Sequence, residues 1–164
     1  MLAAACACAV FAQAAAALPQ ASRINCGSVG LDAAAAKKAY GANASVVPNL
    51  PNACNVVLAV KHGKKLVTSV AAIVSFYSKS EWPSLTLQAR KNSARVVYLK
   101  GLGKAAVLFD LAKAPFFYQE NVDLIARSFA VVIAPSANVS ATTPPQVPAA
   151  ALTALAAAVH AKLG

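Results

Sequence analysis

The side chains best suited to chemistry form a polar cluster late in the chain, made of Ser136, Asn138, Ser140, Thr142 and Thr143. The cluster directly follows residues 129–134, an apolar and β-branched run that predicts a buried strand. Open α/β sheets place ligands at the carboxyl ends of such strands. Short hydroxyls and an amide there can bind a phosphate or an amino-acid head group through neutral hydrogen bonds. The residues leave a second interpretation open, in which this segment is a turn that caps the next helix.

Other familiar reactive patterns are missing from the sequence. It has no glycine-rich phosphate loop and no GxSxG element. Residues 101–104 (GLGK) are too short for a P-loop and are interpreted as a strand-to-helix turn. Asp110, Glu120 and Asp123 fall in segments predicted to be helical and are interpreted as surface charges. A pair of catalytic carboxylates is therefore not expected.

The spacing of cysteine and histidine does not fit a metal site. The sequence contains no CxxC pattern, and His62 and His160 are isolated, so both are interpreted as surface residues. Two of the four cysteines lie in the alanine-rich head of the chain, and Cys26 and Cys54 lie in its body. Cys26 and Cys54 can form a single disulfide only if the protein resides in an oxidising compartment.

Charge composition points to an anionic partner. The 164 residues carry 15 Lys+Arg against 5 Asp+Glu, a formal net charge of +10. Hydrophobic residues make up 59% of the chain, which excludes a disordered polyelectrolyte. Most of the positive charge lies between Lys61 and Lys113, and it suits RNA or another polyanion. The alternative is a solvated lysine-rich face that only maintains solubility.

The first 21 residues form an apolar head, and residues 22–164 form the predicted domain. No charge occurs before Arg23, so the head lacks the basic start of a secretory signal, although small residues suited to cleavage follow it. The head is therefore either a leader or the first element of the domain. The triplets at 43–45 and 138–140 fit the N-glycosylation pattern, which would accompany a secreted, one-disulfide protein.

Periodicity and breakers predict alternating helices and strands. We expect helices over 33–40 (with Asp32 as N-cap), 104–114, 120–127 and 149–162, and strands over 54–60, 85–89, 96–99 and 129–134. Residues 46–51 are predicted to be a loop because they contain two prolines. Residues 66–77 fit a helix or a strand. The expected fold is α/β, a single domain with a twisted mixed sheet flanked by helices.

Several segments together resemble the YrdC/Sua5 family of threonylcarbamoyl-AMP synthases. IAPSANVSA (133–141) resembles the family's APSAN-x-SG loop, and EWPSLTLQA (81–89) resembles its WPGPLT segment. GLDAAAAKKAY (30–40) is similar to the stretch after the family's PTxTxYGL motif, and ALPQAS (17–22) is similar to part of that motif. The segments occur in the family's order with similar separations, so the resemblance spans most of the chain.

The resemblance implies a YrdC-like fold and a cytoplasmic nucleotidyltransferase. Such enzymes combine threonine, bicarbonate and ATP, with Mg²⁺, into threonylcarbamoyl-adenylate for the t6A modification of tRNA. Carried over position by position, the ATP and substrate contacts would be Ser136, Asn138, Ser140, Thr86, Lys100, Arg95 and Ser22. The basic side chains among them would neutralise charge developing on the phosphates.

The sequence also departs from the family pattern. The KxR motif is absent, since residues 43–45 read Asn-Ala-Ser, and the glycine that closes the family's SAN loop is replaced by Ala141. Losing one such transition-state contact can cost roughly 100- to 1000-fold in rate. The sequence therefore leaves three hypotheses: a divergent or inactive synthase, a basic RNA- or polyanion-binding α/β module, and a secreted or organellar one-disulfide protein without catalysis.

If the synthase hypothesis holds, the full-length chain should bind ATP, and L-threonine with bicarbonate should strengthen that binding. Isothermal titration calorimetry would measure both effects. Ser136→Ala or Asn138→Ala should abolish ATP binding, and an unchanged affinity in both variants would remove the main support for this hypothesis.

Overall fold

The computed structural model describes residues 24–93, 95–103, 105–111, 119–136 and 149–164. These residues form three helices, α1 (Ala33–Tyr40), α2 (Trp82–Asn92) and α3 (Ala149–Leu163). Seven strands accompany them: β1 (Ala44–Asn49), β2 (Ala53–His62), β3 (Lys65–Ser78), β4 (Arg95–Tyr98), β5 (Val107–Leu111), β6 (Gln119–Ala126) and β7 (Phe129–Pro135). No helix in the described ranges is both long enough and apolar enough to cross a bilayer.

The seven strands form one sheet in the order β1-β2-β3-β7-β6-β5-β4. Each of the six strand pairings is antiparallel. The prediction of a single α/β domain is thus confirmed, whereas the prediction of a mixed sheet is wrong. The pairs β1–β2, β2–β3 and β6–β7 are each joined by a turn of two or three residues, and such short turns reverse the chain direction.

The main core lies between one face of the sheet and helices α1 and α3. Alternate residues of β6 and β7 point into it, including Val122, Leu124 and Val131, all fully buried. From α3, Leu152 and Leu155 fill the same space. The many alanines of α3 let the helix approach the strands closely, which gives the unusual alanine content of the chain a packing role.

A buried disulfide joins the start of the domain to the sheet. Cys26 and Cys54 are bonded, and Cys54 lies in β2 with no exposed surface. Between them, Gly30 adopts a left-handed backbone (φ +86°) where the chain passes directly against the Ala158 carbonyl of α3. A side chain at Gly30 would strike that backbone, so glycine is required there. The pairing that the sequence left possible, Cys26 with Cys54, is thus present in the structure.

Residues 46–49 of the predicted loop 46–51 belong to strand β1, so the loop prediction is wrong there, and only residues 50–51 form a turn. Pro48 lies within β1 opposite Cys54. Among the described strands β1 is at the edge of the sheet, so a residue without an N–H is accommodated there without loss of a ladder hydrogen bond to a further described strand. The sequence could not identify β1 as an edge strand.

Residues 85–89 are helical, so the predicted strand there is wrong. The short alternation of apolar residues is only part of the longer helix α2. Pro83 occupies the first turn, where its missing N–H is not needed. Just before it, Ser78 and Glu81 form a reciprocal capping box, and the Ser78 N–H donates to Glu81 Oε2 at 2.8 Å. Local capping therefore decides in favour of the helix.

Two predicted helices are strands in the structure. Residues 107–111 of the segment 104–114 form β5, and residues 120–126 belong to β6. Lys104 and residues 112–118 lie outside the described residues. The turn at 101–103 consequently joins two strands rather than a strand and a helix. Each segment completes hydrogen bonds with strands distant in sequence, and this tertiary pairing outweighs the local helix propensity.

The remaining predicted elements agree with the structure. Helix α1 begins after Asp32, whose carboxylate accepts from the Ala35 N–H at 2.8 Å. Strands β2, β4 and β7 and helix α3 occupy the predicted segments to within two residues at each end. The segment 66–77, which fitted a helix or a strand, is the long strand β3.

Removing the disulfide should destabilise the fold without changing it. The cross-link closes a segment with a sequence separation of 28, for which loop entropy gives about 3–4 kcal/mol. We expect urea denaturation of Cys26→Ala/Cys54→Ala to show this loss. Dithiothreitol should destabilise the wild type by a similar amount and leave the double variant unaffected. Equal stability of the two proteins would contradict a disulfide in the native state.

Candidate ligand-binding site

The candidate site lies on the sheet face opposite the main core. Strand β6 places Val122, Leu124 and Ala126 in that core. Since side chains alternate along a strand, Asn121 and Asp123 point to the other face, where α2 lies against β5. Strand geometry sets these two residues about 7 Å apart along β6.

Helix α2 is fixed over this face by contacts at its two ends. The Ser78–Glu81 capping box closes the 3₁₀ turn Lys79–Glu81 that leads directly into α2. Near the end of α2, the Arg90 guanidinium donates to the Tyr98 hydroxyl of β4 at 2.7 Å. The guanidinium carbon also lies 5.6 Å from the centre of the Tyr98 ring, within cation–π range. Beneath the helix, Phe109 of β5 has no exposed surface. The helix therefore covers one part of this face and borders an open cavity beside it.

The cavity has a volume of about 240 Å³. Its walls come from the sheet and from α2: Tyr77, Leu85, Gln88, Ala89, Asn121, Asp123 and Val132. The volume is below the roughly 300–1,000 Å³ usual for drug-sized ligands, so a smaller molecule is indicated. Apolar walls with a few polar groups are typical of small-molecule sites.

Asp123 is the most unusual residue of the cavity. Only 2% of its surface is exposed, and its Oδ1 atom has no hydrogen-bond partner among the described residues. Burial disfavours the charged carboxylate and raises the pKa of Asp123 to about 7. A bound cation or a hydrogen-bond donor would stabilise the charged form and lower this pKa again.

Asn121 adds a second acceptor to the same wall. Its side-chain oxygen is also buried and lacks a hydrogen-bond partner within the described part of the chain. Leaving a buried polar atom unpaired typically costs 1–3 kcal/mol, so two such atoms on residues that line one cavity favour a ligand that donates hydrogen bonds. This arrangement suits the binding of a polar or cationic group that donates hydrogen bonds to these oxygens.

Of the sequence-predicted site residues that the structure describes, Ser136, Thr86, Arg95 and Lys100, none lines this cavity. Ser136 follows β7, is half-buried, and its N–H donates to the Ala71 carbonyl at 3.0 Å. Thr86 is buried in α2, where its hydroxyl donates to the Trp82 carbonyl at 2.9 Å. Ser22, Asn138 and Ser140 lie outside the described residues.

The two predicted basic contacts lie at different ends of the sheet. Arg95 begins β4, at the end of the sheet where β7 finishes and Ser136 follows, although β5 and β6 separate β4 from β7. Lys100 is exposed in the turn after β4, at the opposite end. The strand directions therefore place Lys100 and Ser136 at opposite ends of the sheet.

Sequence reasoning missed Asp123 because it treated residues 120–127 as a surface helix. In the strand, Asp123 is buried rather than exposed, which corrects that interpretation. The available signal was the alternation of Val122, Leu124 and Ala126, which is typical of a strand with one face in the core. His160 also differs from its predicted surface position, since its Nδ1 atom is buried without a hydrogen-bond partner among the described residues.

No metal centre is formed by the described residues, in which no three His, Cys, Asp or Glu side chains come together.

Tyr40 is a further residue with a buried polar group, its hydroxyl, outside the cavity, and burial raises the pKa of this hydroxyl. Asp123 therefore provides the clearest candidate for ligand recognition.

Asp123 should make the protein less stable as pH rises. Its folded pKa of about 7 exceeds the value of 3.8 for a free side chain, so the folded state retains the proton between these values. The unfolding free energy should therefore fall from about pH 4 to about pH 7, by on the order of 3–4 kcal/mol. Asp123→Asn should remove this component, as measured by urea denaturation at pH 4.5 and pH 8.

The matched control for this measurement is Asp32→Asn, which changes an exposed aspartate and preserves the capping of α1. This variant should keep the pH dependence of the wild type. The same pH profile in wild type and Asp123→Asn would show that Asp123 is not a buried acid with a raised pKa.

No family model, curated protein or solved structure matches this chain. Its function must therefore be inferred from its own residues and their geometry.

Proposed function

We propose that this protein is a small-molecule-binding domain whose cavity beside α2 holds a compact ligand with a protonated amine or amidine group. Asp123 is the counter-ion for that group, and Asn121 is the second acceptor. The observation that carries the proposal is the buried Asp123 carboxyl, 2% exposed, with an oxygen that has no partner among the described residues.

A cationic ligand would offset the main energetic cost of the site. Charging a buried carboxyl without a partner is unfavourable, whereas a charge-assisted hydrogen bond is roughly twice as strong as a neutral one. The ligand's hydrocarbon portion would lie against Leu85, Val132 and the half-buried Tyr77. The volume of about 240 Å³ limits that portion to a short chain or a small ring.

The buried disulfide supports an oxidising compartment for this binding function. Disulfides persist mainly in secreted and extracytoplasmic proteins. Cys26 and Cys54 are both buried, and their bond lies on the core side of the sheet rather than at the cavity. The cross-link therefore supports the fold and leaves the ligand site free of thiol chemistry. This proposal follows the alternative of a secreted protein rather than the cytoplasmic expectation.

The threonylcarbamoyl-AMP synthase activity stays a prediction that rests on the two spaced sequence motifs. Thr86 uses its hydroxyl within its own helix, and Lys100 lies away from Ser136, so these contacts add no support to that activity. The ATP titration described above addresses it separately from the amine-binding proposal.

Amine binding can be tested with n-butylamine and agmatine as probes. Each would be titrated into the full-length, disulfide-intact protein at pH 8, where Asp123 is mostly charged. We expect the Asp123 carboxyl resonance in a ¹³C spectrum to shift and the melting temperature to rise. At a probe concentration of 100 times the dissociation constant, the added stability would be about 2.7 kcal/mol.

n-Butanol, which matches n-butylamine in shape but carries no charge, should produce neither effect. Asp123→Asn should abolish the response to both amines, and Asp32→Asn should retain it. Equal stabilisation by n-butanol, or an undiminished amine response in Asp123→Asn, would contradict the proposal.

A further inference from the structure

We propose that the projecting tip of the β2–β3 hairpin, residues 59–70, docks on an anionic lipid surface. Strand β1 pairs with β2 only as far as Leu58, and β7 pairs with β3 only from Ala72 onward. The hairpin continues beyond both neighbours to the turn at Gly63 and Lys64. Within the described part of the chain, residues 59–70 therefore have no strand on either side and extend past the rest of the sheet.

The hairpin tip is strongly basic. Lys61, Lys64 and Lys65 are exposed in it, together with His62. The sequence contains no Asp or Glu from residue 33 to residue 80, so no acidic side chain of the hairpin or its flanking segments offsets this charge. A surface of this kind is attracted to anionic lipid head groups, at about 1 kcal/mol for each lysine close to the membrane.

A second pair of lysines reinforces the charge at this end of the molecule. Lys37 and Lys38 are exposed in the last turn of α1. The chain then passes into β1, whose first residue, Ala44, pairs with Leu58 just below the tip. These lysines thus lie at the end of the sheet from which the hairpin projects, and the positive charge covers more than one element.

Aliphatic side chains at the tip distinguish a lipid surface from other anionic partners. Leu66 is 68% exposed, and Val60 and Val67, which pair across the hairpin, are each 45% exposed. Lysines interspersed with exposed aliphatics are typical of segments that enter the boundary between head groups and acyl chains. Apart from His62, residues 59–70 contain no ring that could stack on a base, which disfavours single-stranded RNA.

Vesicle co-sedimentation of the full-length protein tests this docking directly. The vesicles would contain phosphatidylcholine with 30% phosphatidylserine, or phosphatidylcholine alone, in 100 mM salt. We expect preferential binding to the anionic vesicles and a decrease as salt is raised, because screening shortens the range of the attraction. Equal binding to both vesicle types would overturn the proposal.

Two variants separate the hairpin from the general positive charge of the protein. Lys61→Gln/Lys64→Gln/Lys65→Gln should reduce partitioning into anionic vesicles on the order of a hundredfold, or roughly fivefold per lysine. The control triple Lys79→Gln/Lys91→Gln/Lys162→Gln changes the same charge at exposed positions outside the tip and should have a much smaller effect. If both triple variants lost the same amount of vesicle binding, the hairpin lysines would act only through net charge, and the proposal would be overturned.

A third variant tests the aliphatic contribution at constant charge. Leu66→Asn/Val67→Thr should weaken vesicle binding at least tenfold while the circular dichroism spectrum stays that of the wild type. Unchanged vesicle binding would overturn the proposal, as would tighter binding to an RNA homopolymer than to the vesicles. Concentration-dependent self-association that this variant abolishes would assign the tip to a second copy of the chain instead.

Discussion

Helices cover the two faces of the sheet unequally, and this difference determines where the core and the cavity form. On one face, α1 and α3 bury a continuous aliphatic core that includes Val122, Leu124 and Leu155. On the other face, α2 contacts the sheet mainly at β5 and shields Phe109. The region beside α2 remains a cavity. Asp123 faces this cavity because its two neighbours in β6 must both face the core.

The core on the face covered by α1 and α3 stabilises the fold enough to compensate for the buried Asp123 on the opposite face. A disulfide at Cys54 joins the segment before α1 to the second strand, and the alanine-rich helix α3 packs closely against β6 and β7. Burying a polar group without a hydrogen-bond partner is costly, and the Asp123 Oδ1 atom has none among the described residues. The proposed ligand recognition would be a physical reason for keeping Asp123 at this position despite the cost of burying it.

The acidic group of the cavity and the basic groups of the hairpin tip lie in different parts of the protein. A net charge of +10 coexists with a cavity whose charged group is acidic, and the hairpin tip carries several of the lysines well away from that cavity. Because salt screens charges more than about 10 Å apart, the lysines act mainly at the surface where they lie. The separation is compatible with the two partners proposed above, a small amine at the cavity and lipid head groups at the hairpin tip.

The elements that could be predicted from the sequence are those whose signals are local. Asp32 marks the start of α1, Phe129 and the residues after it form a strand, and the alanine-rich end is helical. Cys26 and Cys54 were also recognisable as a possible pair. Tertiary structure decided the rest: Pro48 is tolerated because β1 lies at an edge, and residues 120–126 are extended because β5 and β7 pair with them. The burial of Asp123 required that register, since hydrogen bonds to strands distant in sequence, and not local propensity, set which side chains share a face.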